Sequence, residues 1–391
     1  MTDQRAAKIA EQFIAVYETA PLVFRAPGRV NLIGEHTDYN DGFVMPAAIG
    51  FYTHVAAGKN EDGVLRIHAQ QFGESVEFAL DRLAGPPRRH WSDYVRGVAA
   101  ELQDAGVGGS GANLLVDGDV PLGAGLSSSA AIEMATALAL ATLNSAHLAK
   151  IELVKLCQRA EHKYAGTKCG IMDQFISCFG RANHALMLDC RSLDATQLPL
   201  PSPASLVICN TMVRHELAGG EYNERRSSCE RSVKRLGQVL PGIQALRDVK
   251  IEELEQHRSL LNDVDYRRCR HVVTENARVQ EAAHALTAGN LGRFGELMYE
   301  SHESLDRDYE VTCEELNAMV RLARRADGVY GARMTGGGFG GCTVNLVDAE
   351  KSETFKQAMV AGYKAETGIV PEVYVCAASA GASQAGIASL L

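Results

Sequence analysis

The chain has 391 residues, of which 46% are hydrophobic and 22% charged, and its formal net charge at pH 7 is -9. A chain of this length can bury a large core and is expected to form two domains. The acidic balance argues against broad binding to nucleic acid or anionic membranes, and no apolar run approaches the ~18 residues of a membrane span. The ten cysteines include no Cys-x-x-Cys pair, and the N-terminus lacks the apolar region of a signal peptide. We therefore expect reduced thiols and a cytoplasmic location, with no nucleic acid or membrane as partner.

The first hundred residues predict two helices and two strands around a polar loop. Residues 5–19 and 91–102 have helical patterns, whereas residues 51–57 and 64–68 read as strands. The segment 25–40 concentrates polar side chains near glycine and proline, namely Arg29, Glu35, His36, Asp38 and Tyr39. Such a segment suits recognition of a polyhydroxylated ligand, because carboxylates accept hydrogen bonds from paired hydroxyls. The alternative is a solvated loop with local ion pairs.

A glycine- and serine-rich turn follows the strand predicted for residues 113–120. Residues 123–130 read Gly-Ala-Gly-Leu-Ser-Ser-Ser-Ala and open a helix predicted for residues 131–140. The start of a helix presents unpaired N–H groups and a positive dipole end, so the turn predicts a phosphate-binding site. The alternative is a capped helix without a ligand. The string matches neither the P-loop nor the dinucleotide-binding pattern, so neither of those folds is supported.

A second candidate site segment covers residues 166–179 and follows a helix predicted for residues 151–165. Gly170 precedes an apparent helix start, and Asp173 falls in the first turn of that helix. The helix dipole favours an ionised Asp173, which could accept a proton or a hydrogen bond from a substrate hydroxyl. The alternative is an ordinary stabilising acid. Glu161 is a candidate metal ligand, although most helix glutamates face solvent.

Three prolines, at positions 199, 201 and 203, follow a strand predicted for residues 186–189. They place a domain boundary near residue 200. The sequence therefore predicts an N-terminal domain over residues 1–200 and a C-terminal domain over residues 201–391. Helical patterns dominate the second domain from residue 223 to residue 326.

The last part of the chain predicts a capped helix, a glycine-rich turn and two strands. Thr312 and Glu315 form a capping-box signature, and residues 342–347 and 372–376 read as strands. The segment 333–342 holds five glycines in six positions, which permits close backbone approach to a phosphate or to the turn at 123–130. A tight connection before a strand is the alternative. The mixture favours an α+β fold in both halves.

These segments, in this order, resemble the galactokinases and, more broadly, the superfamily of galactose, homoserine, mevalonate and phosphomevalonate kinases. Residues 28–39, Gly-Arg-Val-Asn-Leu-Ile-Gly-Glu-His-Thr-Asp-Tyr, resemble the galactokinase signature. Residues 121–130 resemble the ATP motif of the superfamily, and residues 335–341 resemble its third motif. The resemblance implies a two-domain α+β small-molecule kinase with its active site in the interdomain cleft.

The resemblance also implies roles for individual residues. It assigns sugar binding to Glu35, His36, Asp38, Gly170, Asp173 and Tyr222, and the catalytic pair to Arg29 and Asp173. It assigns ATP binding to Gly123, Ala124, Gly125, Leu126, Ser127, Ser128, Ser129 and Ala130, with Trp91 near the adenine. It assigns Mg²⁺ to Glu161 and to one serine hydroxyl, that of Ser129 or Ser128. Ala124 stands where many relatives have glycine, which is a mild change.

The implied reaction is phosphorylation of galactose at its anomeric hydroxyl by ATP. Three alternatives stay open: a kinase of the same fold for N-acetylgalactosamine or arabinose, a noncatalytic sugar sensor, and a homoserine or mevalonate kinase. The set Glu35, His36 and Asp38 favours galactose, and the intact serines with Arg29 and Asp173 favour catalysis over sensing. Homoserine and mevalonate kinases would not be expected to carry the segment 29–39. The sequence leaves the oligomeric state open and is compatible with a monomer.

Overall fold

The computed structural model describes residues 4–214 and 218–386, with side chains for residues 4–213 and 220–386. The helices are α1 (Gln4–Tyr17), α2 (Ser92–Asp104), α3 (Ser128–Leu143), α4 (Lys150–Ala160), α5 (Met172–Phe179), α6 (Ala218–Leu236), α7 (Ile251–Gln256), α8 (Asp263–Thr287), α9 (Leu291–Ser304), α10 (Glu314–Arg325) and α11 (Ser352–Thr367). The strands are β1 (Leu22–Asn31), β2 (Phe43–Val44), β3 (Pro46–Asn60), β4 (Val64–Ala69), β5 (Glu74–Ala79), β6 (Gly111–Gly118), β7 (His184–Asp189), β8 (Ala195–Pro199), β9 (Ala204–Arg214), β10 (Val329–Thr335), β11 (Gly340–Asp348), β12 (Glu372–Cys376) and β13 (Ser383–Gln384).

The first sheet has six strands in the order β13–β1–β3–β6–β4–β5. Its β4 and β6 run parallel, and the other neighbours are antiparallel. Helix α3 packs on β1 and β3 of this sheet, and most of its side chains are buried. Its alanines allow this close approach because short side chains bring a helix near a sheet. The packing of α3 on β1 sets the start of the helix beside the end of the strand that carries Arg29.

A four-stranded sheet, β10–β11–β9–β12, and a three-stranded sheet, β2–β7–β8, complete the strand architecture of the described residues. One buried apolar cluster joins distant parts of the chain, since Val30 and Ile33 share it with Val279, Phe294 and Val344. The last strand, β13, pairs with β1 in the first sheet. The mixed helix and sheet content confirms the α+β expectation, whereas the domain boundary near residue 200 stays a prediction.

Two local expectations differ from the structure. The capping box at Thr312 and Glu315 is wrong, because Cys313 precedes the first residue of α10 and the Thr312 hydroxyl donates to Asp306. The helix predicted for residues 151–165 ends as a wider π-helical turn over Glu161–Ala165, which Gly166 closes as the C-cap in the left-handed conformation. Among the described residues, no helix is both long enough and apolar enough to cross a membrane.

Candidate active site

A cleft of about 390 Å³ brings together residues from several separate parts of the chain. Among the residues lining it are Arg29, Glu35, His36, Asp38, Gly123, Gly125, Leu126, Ser127, Ser128, Ser129, Glu161, Cys169, Asp173, Tyr222, Gly336 and Gly337. A single cleft thus contains the polar loop, the serine-rich turn, the start of α5, a side chain of α6 and the glycine-rich segment before β11.

Arg29 and Asp173 form a bidentate salt bridge in this cleft. Nε of Arg29 donates to Oδ1 of Asp173 at 2.9 Å, and Nη2 donates to Oδ2 at 2.7 Å. The third nitrogen, Nη1, donates to the backbone oxygen of Gly125 at 2.6 Å. A guanidinium that uses all three nitrogens has a fixed plane, so its charge has a defined direction. The strand β1 and the helix α5 therefore hold the Arg29 guanidinium and the Asp173 carboxylate in a fixed relative orientation.

The serine-rich turn is strained where it meets that pair. Ser127 has a φ of 58°, in the left-handed region, and immediately precedes α3. Its hydroxyl donates to Oδ2 of Asp173, and its oxygen does not accept a capping hydrogen bond from the helix that it precedes. The backbone N–H of Arg29 donates to the oxygen of Leu126 at 3.0 Å, which ties the turn to β1. The first serine thus supports Asp173, and Ser128 and Ser129 begin the helix facing the cleft.

Glu35 is buried in the wall of the cleft, with 2% of its surface exposed. Its Oε1 accepts the backbone N–H of Gly336 at 2.7 Å and lies 3.4 Å from Nη1 of Arg333. Burial raises the pKa of Glu35, and the guanidinium groups of Arg333 and Arg29 oppose that rise. The carboxylate is therefore held by the glycine-rich segment from the other end of the chain.

His36 is a neutral hydrogen-bonding group. Burial, and then the neighbouring His271, lower its pKa to about 3. Nε2 faces the oxygen of Gly337 at 3.2 Å, and a carbonyl can only accept, so Nε2 carries the proton. Nδ1 therefore accepts from the hydroxyl of Tyr39 at 2.8 Å, and that hydroxyl lies 2.8 Å from the hydroxyl of Tyr309. A chain of hydrogen bonds thus fixes the tautomer and the plane of the ring.

Asp38 and Gly170 are packed against each other. A Cβ on Gly170 would overlap the carboxylate of Asp38, so only glycine fits there. Burial is the main cause that raises the pKa of Asp38 to about 7, with Asp173 and then Glu35 adding to it. Three carboxylates in one cleft resist simultaneous ionisation, and the Arg29 guanidinium partly offsets this repulsion. The titration of Asp38 therefore falls near neutral pH.

Glu161 lies beneath the serine-rich turn and belongs to a buried acidic pair. The amide nitrogen of Gln174 donates to Glu161 at 2.6 Å and to Glu133 at 3.1 Å. Burial, and then the charge of Asp173, raise the pKa of Glu161 to about 7, whereas a hydrogen bond with Ser129 opposes the rise. Among the described residues, no group of three or more histidine, cysteine, aspartate or glutamate side chains forms a metal-binding cluster. Glu161 and Ser129 are among the oxygen groups next to the turn.

The glycine-rich segment packs directly on the serine-rich turn. Gly336 has a φ of +89°, and a Cβ placed on it would lie 2.8 Å from the oxygen of Gly125. Gly341 has a φ of +82°, and its Cβ would lie 3.0 Å from the oxygen of Ala124. These two glycines permit both the backbone conformation and the close contact. The predicted approach of this segment to the turn is thus present in the structure.

A second, more apolar pocket adjoins the turn on its other side. It contains Trp91, Phe72, Ser128 and Ser129, and the rings of Phe72 and Trp91 lie 5.7 Å apart. The indole N–H of Trp91 donates to Glu74 at 2.7 Å, which fixes the ring. An aromatic pocket that shares Ser128 and Ser129 with the serine-rich turn suits a flat heterocycle.

Comparison with known proteins identifies the family. The chain matches the galactokinase galactose-binding signature over residues 11–59, the N-terminal domain of GHMP kinases over residues 93–181 and their C-terminal domain over residues 282–365. A galactokinase of Chloroflexus aggregans is 50% identical over 361 residues, covering 92% of this chain and 93% of that protein. The chain belongs to the galactokinase family. A galactokinase of Roseiflexus is 46% identical and covers 96% of each chain.

Solved structures agree with the family. The crystal structure of a Lactococcus lactis galactokinase complexed with galactose has a TM-score of 0.92 and 38% identity, covering 96% of this chain and 99% of that one. A mevalonate kinase of Methanococcus jannaschii, at 18% identity and a TM-score of 0.67, shares the fold. The galactokinase family and the two-domain kinase fold expected from the sequence are therefore confirmed.

Most of the residues singled out by the galactokinase resemblance meet at the cleft, and four lie just outside its lining. Trp91 lies in the adjoining aromatic pocket, Gly170 lies behind Asp38, and Ala124 and Ala130 are buried in the core beneath the turn. Three supporting residues carried no sequence signal of their own, namely Gln174, Tyr309 and Arg333. Each acts through a contact with a residue distant in sequence, which no local pattern records.

Proposed function

We propose that this galactokinase-family protein transfers the γ-phosphoryl group of ATP to the anomeric hydroxyl of galactose, giving galactose 1-phosphate and ADP. The observation that carries the proposal is the Arg29–Asp173 pair, which faces the same cleft as the polar loop and the serine-rich turn. The galactose bound in the similar Lactococcus lactis galactokinase supports the choice of sugar.

The start of α3 provides the phosphate site in this proposal. Its free N–H groups and positive dipole end favour a triphosphate, and the small residues of the turn let the phosphates approach the backbone. The aromatic pocket beside Trp91 would take the adenine. Phosphoryl transfer depends mainly on positioning of the reactants and on stabilisation of charge. The serine-rich turn and the start of α3 would contribute to both by holding the triphosphate.

Glu35, His36, Asp38 and Tyr222 would orient the sugar. The carboxylates accept hydrogen bonds from hydroxyls, and the neutral ring of His36, held in one plane by its two hydrogen bonds, would shape the wall beside the sugar. Gly170 leaves room for Asp38. This arrangement would place the anomeric hydroxyl beside Asp173.

Asp173 and Arg29 would perform the chemistry. Asp173 accepts the proton of the attacking hydroxyl as the oxygen bonds to the γ-phosphorus and the bond to the β-phosphate oxygen breaks. Arg29 stabilises negative charge on the transferred group and on the attacking oxygen. Its contact with Gly125 places the guanidinium between the sugar side and the phosphate side of the cleft.

A magnesium ion fits the residues beside the turn. Mg²⁺ prefers oxygen ligands and is commonly held by one or two carboxylates together with substrate phosphates. A bound cation would favour the charged form of the buried Glu161, whose pKa burial raises to about 7. We propose Glu161 and Ser129 as its protein ligands. When bound, the ion would neutralise charge on the phosphates.

A sugar panel tests the proposal. The purified protein is assayed for ADP release with Mg-ATP and galactose, N-acetylgalactosamine or arabinose, and the product is identified by NMR. We expect kcat/KM to be highest for galactose, with galactose 1-phosphate as the product. Asp173→Ala should lower kcat by about 10²–10⁴-fold while the fold survives, since this is the usual contribution of a general base. A higher kcat/KM for another sugar, or near-normal turnover in the variant, would contradict the proposal.

A further inference from the structure

Arg333 is a fully buried guanidinium that lies behind the sugar side of the cleft. It belongs to β10, and none of its surface is exposed. Its Nη1 donates to the backbone oxygen of Asn31 at 3.0 Å and lies 3.4 Å from Oε1 of Glu35. Within the described residues, its Nε and Nη2 atoms have no hydrogen-bond partner. The contacts of its side chain therefore join the C-terminal part of the chain to the end of β1 and the polar loop.

The same oxygen of Glu35 is held from a second direction. Oε1 also accepts the backbone N–H of Gly336 at 2.7 Å, three residues after Arg333. Arg333 and Gly336 thus hold one carboxylate oxygen, and the Glu35 side chain itself lines the cleft. The position of Glu35 therefore depends on how β10 and the residue after it lie against the polar loop.

A contribution to the stability of the fold does not explain why this buried position holds an arginine. Burying a charge is costly, and apolar residues of similar volume often replace buried ion pairs at little or no loss of stability. An arginine with two unpartnered nitrogens makes this cost larger. What the arginine supplies, and a methionine would not, is a fixed positive charge beside Glu35. That charge is the largest of those opposing the rise of the Glu35 pKa.

We propose that Arg333 is a positioning residue for sugar recognition, which fixes the Glu35 carboxylate at the wall of the cleft and joins the polar loop to the glycine-rich segment. The inference rests on the proposed function, because Glu35 is assigned to galactose there. Arg333 does not line the cleft, and its side chain reaches the lining through its contact with Glu35.

Steady-state kinetics of Arg333→Met and Arg333→Lys test the proposal in the full-length protein. We expect the methionine variant to raise the galactose KM at least tenfold, with the ATP KM within twofold of wild type. Lysine keeps a charge but lacks the planar fork, so its galactose KM should rise by at least threefold and stay below that of methionine. Arg333→Met also removes the charge that lowers the Glu35 pKa, so its galactose KM should begin to rise at a higher pH than in wild type as the pH is lowered.

Arg247→Met is the matched control. Arg247 also donates to a backbone oxygen of the loop, that of Asp41 at 3.0 Å, and to a carboxylate, Asp189, but it contacts no residue of the cleft assigned to the sugar. Its galactose KM should stay within twofold of wild type. Circular dichroism tests whether each variant is folded. If the methionine variant is not folded, the galactose KM of the lysine variant tests the proposal.

Three results would overturn the positioning role. They are an unchanged galactose KM in a folded Arg333 variant, equal increases in the KM of galactose and of ATP, and a wild-type pH profile in a folded Arg333→Met variant. Wild-type protein that does not phosphorylate galactose would overturn the proposed function together with this inference. Wild-type turnover with unaltered variants would overturn the inference alone.

Discussion

The hydroxyl of Ser127 donates to Oδ2 of Asp173. That oxygen also accepts Nη2 of Arg29 at 2.7 Å. A left-handed backbone at Ser127, with a φ of 58°, aims the hydroxyl away from the helix and at the carboxylate. The turn that faces the phosphates and the acid that faces the sugar are therefore one hydrogen-bonded unit.

Ser127→Ala should lower kcat about tenfold and leave the KM of both substrates within threefold of wild type. The reason is that the hydroxyl orients Asp173, and a hydrogen bond to a charged group contributes about 1.5–3 kcal/mol. Ser110→Ala is the control, since that hydroxyl bonds Asn144 at the far end of α3. Equal kinetics in the two variants would show that Ser127 does not support the acid.

Arg29→Lys should lower kcat by about 10²–10³-fold, the usual loss when a donor to a developing charge is removed. A lysine has one charged nitrogen, whereas Arg29 uses three nitrogens on Asp173 and Gly125. The measurement is single-turnover transfer from ATP at saturating galactose. The control is Arg321→Lys, an exposed arginine that pairs with Glu314 and Glu366 and should keep wild-type rates.

The pH dependence of kcat/KM for galactose should report Asp38. Its pKa of about 7 means that it is protonated below that pH and ionised above it. An ionised Asp38 is the better acceptor for sugar hydroxyls, so kcat/KM should reach a plateau above about pH 7 and fall up to tenfold per unit below it. His36, with a pKa of about 3, adds no inflection in this range. Asp38→Asn should remove the inflection, and its persistence would assign it to another group.

Tyr309→Phe should raise the galactose KM several-fold and lower the free energy of unfolding by about 1 kcal/mol, the net value of a buried hydrogen bond. The Tyr309 hydroxyl bonds that of Tyr39, which in turn orients His36. Tyr363→Phe is matched to it, since that buried hydroxyl bonds the oxygen of Thr211 away from the cleft. The control should lose similar stability with an unchanged KM. A similar KM in both variants would show that the hydrogen-bond chain does not reach the sugar.

Glu161→Gln should raise the Mg²⁺ concentration required for half-maximal rate by at least tenfold, because a neutral amide is a weaker ligand for a hard cation. Direct titration of Mn²⁺ with the nucleotide present gives a readout independent of turnover. Glu152→Gln, on the outer face of α4 beside Lys155, is the control. Unaltered metal affinity in the Glu161 variant would remove it from the metal site.

Local signals in the sequence were enough to find the site segments. Glycine- and serine-rich strings and the dense polar loop depend on backbone conformation and side-chain type, both of which are written locally. The serine-rich turn, Asp173 and the glycine-rich segment accordingly lie together as expected. The resemblance to the galactokinases, rather than periodicity, supplied the fold and the sugar.

Contacts between residues far apart in the chain could not be predicted from local sequence patterns. Arg333 and Glu35 are 298 positions apart, and the pairing exists only because β10 lies against the end of β1. The capping-box pattern at Thr312 failed for a different reason, since a competing acceptor, Asp306, lies only six residues upstream in a π-helical turn.

The pairing of β13 with β1 makes one edge of the first sheet depend on residues more than 350 positions further along the chain. Ser383 and Gln384 supply the outer neighbour of the strand that carries Arg29. During translation, the first sheet keeps that edge open until these two residues have emerged from the ribosome. A variant that lacks them would therefore expose hydrogen-bonding groups of β1, an edge prone to pair with other chains.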